Sequence, residues 1–427
     1  MEKISFDQLQ EELFHEKLPN GLQVYILPKK GFNKTYATFT TKYGSVDNHF
    51  VPLGKEEFKK VPDGIAHFLE HKLFEKEDGD VFQQFSRQGA SANAFTSFTR
   101  TAYLFSSTTE VKKNLETLID FVQDPYFSEK TVEKEKGIIG QEITMYDDNP
   151  DWRLYFGLIQ NLYQNHPVNI DIAGTIESIS HITKDLLYEC YHTFYHPSNM
   201  LLFIVGPVDP TQVMNQVRDN QAKKEYKDQP EIKRKFEQEP AEAAKEKQVL
   251  EMNVQIPKCL FGIKALHIDQ SGEEMLKTEL TMNVLLDLLF SKSTENYNNL
   301  YSEGLIDETF SYDYTQEQGF GFAMIGGDTR EPDQLAEKIE KILLNGTTFT
   351  DQQLDRTKKK KIGAFLRAIN SPEYIANQFT RYAFNDMNLF DVVPTMEKIT
   401  LKDVQSLASE VIAKERFSVC YVVPKKK

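Results

Sequence analysis

Between Ala222 and Lys247 the chain all but runs out of apolar residues, and Lys, Glu, Gln, Pro and Ala take over. A stretch of this kind has no face to offer a core, so it reads as a linker. The parts on either side must each bury their own apolar groups. That agrees with length, since 427 residues exceed the ~100–200 at which single cores cluster. We place the boundaries at 1–222, 223–247 and 248–427.

The two flanking parts follow one plan. In the first, Leu18-Pro-Asn-Gly-Leu22 is an Asn-Gly hairpin signal ahead of the strand Gln23–Leu27, and β-formers continue from Thr35 to Tyr43. A helix is expected to begin at Asp63, taken as its N-cap. Further helices fit 81–88, 111–123 and 129–147, the last stopped by Pro150. Residues 91–106 return to β composition, and 200–205 reads as a buried strand. Beyond the linker, 248–263 reads as strand, 273–290 and 331–344 as helices, and 417–423 as a closing strand. Two runs of strands, helices and a closing strand point to an α+β fold with an internal duplication.

Several function classes are excluded early. A net charge of −14 gives phosphate no cationic surface, so nucleic acid is not the expected partner. The three cysteines, Cys190, Cys259 and Cys420, are far apart and odd in number, which fits buried thiols in a reducing compartment. The N-terminal MEKISFDQLQEELF lacks a basic region followed by an apolar run, and no stretch is apolar enough to span a bilayer. A cytoplasmic protein without membrane association is expected.

One motif carries chemistry. In His67-Phe-Leu-Glu-His71 the two histidines are four residues apart, so on a helix both can reach one ion, with Glu70 on the same face. Two imidazoles suit Zn²⁺, and a nearby carboxylate can take a proton from water at the metal. The order is the H-x-x-E-H pattern, the reverse of H-E-x-x-H. A solvated helix that carries two histidines and a Glu would show the same letters, so a second signal matters. A catalytic zinc takes three protein ligands and leaves a position open. Glu135, Ile138, Ile139, Glu142 and Tyr146 form one stripe on the helix 129–147, the apolar stripe of that helix. Carboxylates on a core-facing stripe are costly unless a cation or partner meets them. His192 and His196 are also four apart but lack an acid in register, and are read as structural.

His67-Phe-Leu-Glu-His71, with Glu142 some 70 residues on and Glu135 one heptad before it, resembles the insulinase/pitrilysin family of zinc peptidases. Gly89-Ala-Ser-Ala-Asn93-Ala-Phe-Thr96, Tyr43-Gly-Ser-Val-Asp47 and Tyr195-His-Pro-Ser-Asn-Met200 are similar to further landmarks of that family. The likeness covers the whole chain and is stronger before residue 210 than after it. It implies two homologous α/β sandwich domains, each a mainly antiparallel sheet covered by helices, as in the short, processing-peptidase-like members. The second domain would lack the zinc motif. By the same resemblance one zinc ion per chain is bound by His67, His71 and Glu142. Glu70 is the general base and Glu135 supports the site. Asn93, Ala94 and Phe95 lie on an edge that pairs with extended peptide.

The implied activity is that of a zinc metalloendopeptidase acting on peptides or unfolded segments in a closed chamber. The family pattern also has an Arg and a Tyr seven residues apart that hold substrate. In the matching segment Asn298-Asn-Leu300-Tyr-Ser-Glu-Gly304-Leu-Ile-Asp307, those positions are Leu300 and Asp307. The pair is missing, so a homologous subunit is expected to supply it in a heterodimer, in preference to a homodimer. The competing reading is a non-catalytic scaffold or partner subunit of the same fold. Retention of all three ligands and the base argues against it.

Overall fold

The structure, a computed structural model, describes residues 1–77 and 79–425. It divides into two compact units. The first gathers Met1–Ile143, Ile170–Phe236 and Ala368–Phe384; the second gathers Thr144–Asn169, Glu237–Arg367 and the chain from Asn385 on. This grouping cuts the chain differently from the expected 1–222, 223–247 and 248–427. Helix Pro150–Leu162 packs on strands Lys247–Met252, Lys258–Lys264 and Phe417–Pro424 of the second unit. Helix Pro372–Ala383 packs on Thr35–Thr41 and Met200–Gly206 of the first. An apolar stripe shows that a helix will be covered, but not by which sheet.

The polar stretch is held along its length. The N–H of Val51 donates to the Lys233 carbonyl, and that of Lys235 to the His49 carbonyl, within the first unit. In the second unit, the Glu239 carboxylate accepts from the N–H groups of Gln164, Asn165 and His166. It also pairs with Lys264, and both side chains are almost wholly buried. Such a buried pair is tolerable because three backbone donors saturate the carboxylate.

In the first unit the seven-stranded sheet runs Glu2–Phe6, Glu11–Lys17, Gln23–Pro28, Met200–Gly206, Thr35–Thr41, Thr101–Ser107, Ala90–Thr96. The Asn-Gly signal forms a hairpin between Glu11–Lys17 and Gln23–Pro28, with Gly21 at φ 91°, where a side chain would be strained. Ala90–Thr96 lies at the edge, paired with Thr101–Ser107. In the second unit the sheet runs Lys247–Met252, Phe417–Pro424, Lys258–Lys264, Phe320–Asp328, Ser311–Glu317.

The last five strands of the first sheet and all five of the second have the same order. In chain sequence each runs first, last, second, fourth, third, with one parallel pair between first and last and antiparallel pairs elsewhere. That common topology is the duplication expected from the shared plan. Between the second and third strands, the first unit carries helix Ile65–Leu73, which holds the His-Glu-His motif. The second carries Gly272–Phe290, which has no histidine and buries eight leucines and methionines, from Met275 to Leu289.

His166 is buried in the second unit, and its Nδ1 accepts the N–H of Val168 at 3.1 Å. An imidazole that accepts there is neutral, and burial pushes its pKa down to about 4. The unfolded chain would bind that proton near pH ~6.5. The unfolded state therefore takes up more protons in between, and stability falls as pH drops from about 6.5 to about 4, by about 3 kcal/mol in all. We expect the urea midpoint of the wild-type chain to fall between pH 7.5 and pH 5 by more than that of His166→Asn. Equal shifts would remove His166 as the cause.

Candidate metal centre

Helix Ile65–Leu73 begins where two backbones meet. The residue in the N-cap position is Gly64 at φ 87°, not Asp63, and no side chain caps the helix. A Cβ on Gly64 would lie 2.3 Å from the Ala173 carbonyl oxygen, and one on Gly174 (φ 73°) 2.5 Å from that of Asp63. Only glycine fits at either position. The expected cap residue is used elsewhere: the Asp63 carboxylate accepts from Asn48 Nδ2 at 2.8 Å, and its carbonyl accepts the Ser178 hydroxyl at 2.8 Å. From this fixed start the helix buries Phe68, Leu69 and Leu73 and presents His67, Glu70 and His71.

Helix Glu129–Asp147 supplies the acids, with the bounds expected from sequence. Its buried stripe is Val132, Ile139 and Ile143. Ile138 is 44% exposed and does not belong to it, so the stripe expected through Ile138 shifts by about one residue. Glu135 and Glu142 lie along the flank of the true stripe and are partly buried. Tyr146 instead stacks on Trp152, with centroids 4.5 Å apart.

The three expected ligands converge. His67 Nε2 is 3.8 Å from Glu142 Oε1, and His71 Nε2 is 3.6 Å from Glu142 Oε2. One donor atom from each of the three residues can be chosen so that all lie within 4.8 Å of one another, the only such group among the described residues. These separations are too long for hydrogen bonds. They are close to the ~3.3–3.4 Å expected between donors at ~2.0–2.1 Å from one tetrahedral zinc. Two imidazole nitrogens and a carboxylate are also the donor set that zinc favours at catalytic sites. The residues therefore fit the ion.

Glu135 holds the far side of His71. Nδ1–H of His71 donates to Glu135 Oε1 at 3.1 Å, which leaves Nε2 with its lone pair toward Glu142 and the gap. Burial pushes the His67 pKa down to about 4, helped by the charge of His71, so its ring is neutral and able to ligate. Burial works the same way on His71. There the Glu135 hydrogen bond and the charges of Glu70 and Glu142 outweigh it, and the pKa is raised.

Glu70 is 8% exposed. Burial lifts its carboxyl to about 7, while a hydrogen bond from Thr96 and the charge of His71 pull the other way. Sequence reading did not pick out Thr96 as a partner. Its hydroxyl lies 2.6 Å from Glu70 Oε2. Asn93, Ala94 and Phe95 precede it on the edge strand. Asn93 is exposed, and its Oδ1 accepts the N–H of Ala94 at 2.9 Å. The Arg100 guanidinium lies 5.7 Å from the centre of the Phe95 ring.

The remaining landmarks have structural work. Asp47 accepts from the Gly44 N–H and from Arg234 Nε. His192 stacks on Tyr188, and His196 caps the turn at Pro197–Asn199. In the second unit, Leu300 is 2% exposed in helix Glu295–Ser302, and the Asp307 carboxylate accepts from the N–H and hydroxyl of Thr309. Neither position can do what an Arg or a Tyr would.

Comparison with known proteins adds an independent line. Residues 51–176 match the family described as insulinase (peptidase family M16), and residues 181–361 match the peptidase M16 inactive domain. An uncharacterized zinc protease of Bacillus subtilis strain 168, YmfH, is 70% identical over 99% of both chains. The zinc protease PqqE of Helicobacter pylori is 24% identical over 95% of this chain and 92% of its own. The solved M16-like peptidase of Alicyclobacillus acidocaldarius superimposes with a TM-score of 0.94 at 38% identity, over 97% of this chain and 99% of that one.

Titration of the metal-free chain with zinc should show one tight equivalent. His71→Ala and Glu142→Ala should abolish it. Glu135→Gln, which leaves the three ligands in place, should weaken it by about 10–100-fold. Competition against a chromophoric chelator reads all three, and unchanged affinity in Glu142→Ala would exclude this carboxylate as a ligand.

Proposed function

We propose that this chain, which belongs to the insulinase family of peptidases (peptidase family M16), is a zinc-dependent endopeptidase that hydrolyses peptides or unfolded segments. The observation that carries this reading is the convergence of His67, His71 and Glu142 on one gap, with the buried Glu70 on the same helix as the two histidines.

A zinc ion held by these residues supplies Lewis acidity, which acidifies water and polarises a peptide carbonyl. The chain's own groups do the rest. Glu70 accepts the proton of the attacking water and returns it to the leaving amine. A carboxyl whose pKa lies near 7 suits a group that must both take and give a proton at neutral pH. Glu135 keeps the His71 ring in one tautomer. The open edge of Ala90–Thr96 offers backbone groups to an extended peptide, and such pairing tolerates many side-chain sequences.

The buried Leu300 and the occupied Asp307 support a further part of the proposal: a homologous subunit supplies the Arg and Tyr, and the two enclose the substrate in a chamber. Among the described residues no helix is long and apolar enough to cross a membrane, and the three cysteines are buried and free. These features support a cytoplasmic setting. The match of residues 181–361 to an inactive domain favours one rival, in which the whole chain is a non-catalytic partner of the same fold.

Glu70→Gln should keep its zinc and lose about 10²–10⁴-fold in turnover. Metal analysis alongside cleavage of a quenched fluorescent peptide library checks both halves. Zinc bound with turnover intact would sink the base assignment. No cleavage by the wild-type chain, alone or co-purified with its native partners, would favour the non-catalytic rival. Full activity of the isolated chain would remove the need for a second subunit.

A further inference from the structure

We propose that Thr96 is a positioning residue for Glu70: its hydroxyl clamps one carboxylate oxygen and leaves the other to exchange the proton. This rests on the reading of Glu70 as the base. The contact, 2.6 Å from Thr96 Oγ1 to Glu70 Oε2, is the one hydrogen bond of that carboxylate among the described residues.

Proton counting fixes its direction. Thr101 Oγ1 lies 2.9 Å from the Tyr43 carbonyl oxygen, which can only accept, so Thr101 gives its single proton there. Thr96 Oγ1 is 3.3 Å from Thr101 Oγ1. It receives no proton from Thr101 and has one of its own, which goes to Glu70. An O–H donor to a carboxylate is among the stronger hydrogen bonds.

The clamp is rigid because of where it sits. Thr96 and Thr101 face each other directly across the hairpin, as the last and first residues of its two strands. The turn between them is pinned from outside: the N–H groups of Ser45 and Val46 donate to the carbonyls of Ser97 and Phe98. Gly44 passes so close that a Cβ there would lie 2.3 Å from the Phe98 oxygen. Thr101 is fully buried. Glu70 has three side-chain torsions to fix, and one oxygen held by a preorganised donor fixes them. When Glu70 takes a proton on its free oxygen the Thr96 bond is kept, so the carboxyl need not turn between accepting and donating. The clamp is the end residue of the strand proposed to pair with peptide, so substrate alignment and base alignment share one backbone.

The test compares wild type, Thr96→Val, Thr96→Ser, Glu70→Gln and the Glu70→Gln/Thr96→Val double variant, all zinc-loaded, on a quenched peptide that the wild type cleaves. Thr96→Val should lower kcat by about 10–100-fold, the scale of a small misplacement of a reacting group. KM should stay within about twofold and zinc content at the wild-type level. Thr96→Ser should recover most of the loss, and the Val change should add nothing on the Glu70→Gln background. Crystal structures of zinc-loaded wild type and Thr96→Val should show the Glu70 carboxylate turned in the variant. Wild-type kcat in Thr96→Val, an equal loss in Thr96→Ser, or a further loss in the double variant overturns the proposal. If Val destabilises the hairpin, Thr96→Ala carries the same comparison. Activity in Glu70→Gln would sink the base reading itself, whereas an inactive Glu70→Gln beside a fully active Thr96→Val sinks only the clamp.

Discussion

Two imidazoles and three carboxylates are packed into one partly buried space. Left to themselves, Glu70, Glu135 and Glu142 would repel one another, and burial would raise the cost of each charge. The chain meets that cost in three ways. Glu135 takes a proton donor from His71, Glu70 takes one from Thr96, and Glu142 shares its gap with two neutral or neutralisable nitrogens. The first two solutions are complete within the chain. The third leaves room for a cation, and it is the reason that two helices distant in sequence must arrive at the same place with ångström accuracy.

The twofold repetition of strand order shows how such accuracy was reached without inventing a fold for it. Both five-stranded arrangements place their helices between the same strands. In the second unit the corresponding helix is filled with leucine and methionine, and it gains packing where the first unit accepts polar groups and the instability they bring. The short Ile65–Leu73 helix is anchored instead by its entry. The two glycine contacts at Gly64 and Gly174 set the first turn, and everything downstream on that helix inherits its direction.

Much of this was legible in the sequence because local patterns report local physics. The helix that carries Glu135 and Glu142 has the expected limits, and the spacing of four puts His67 beside His71 with no need of tertiary knowledge. Misreadings arose where a residue's partner is far along the chain. Asp63 looks like a cap, but Asn48 and a positive φ at Gly64 decide otherwise. Ile138 looks like core until the neighbouring elements are known to lie one residue round the helix. Thr96 carries no local mark as a partner of Glu70, since period two assigns a face to a strand residue and not the helix side chain above it. The exchange of helices Pro150–Leu162 and Pro372–Ala383 was invisible for the same reason.

That exchange bears on how the protein is made. The face of Thr35–Thr41 and Met200–Gly206 that Pro372–Ala383 covers is translated long before its cover leaves the ribosome. Until then a nascent chain exposes an uncapped sheet, and the unit that carries His67, His71 and Glu142 cannot reach its final packing by residue 222. Assembly of the first unit therefore waits for a segment made long after that unit's own strands.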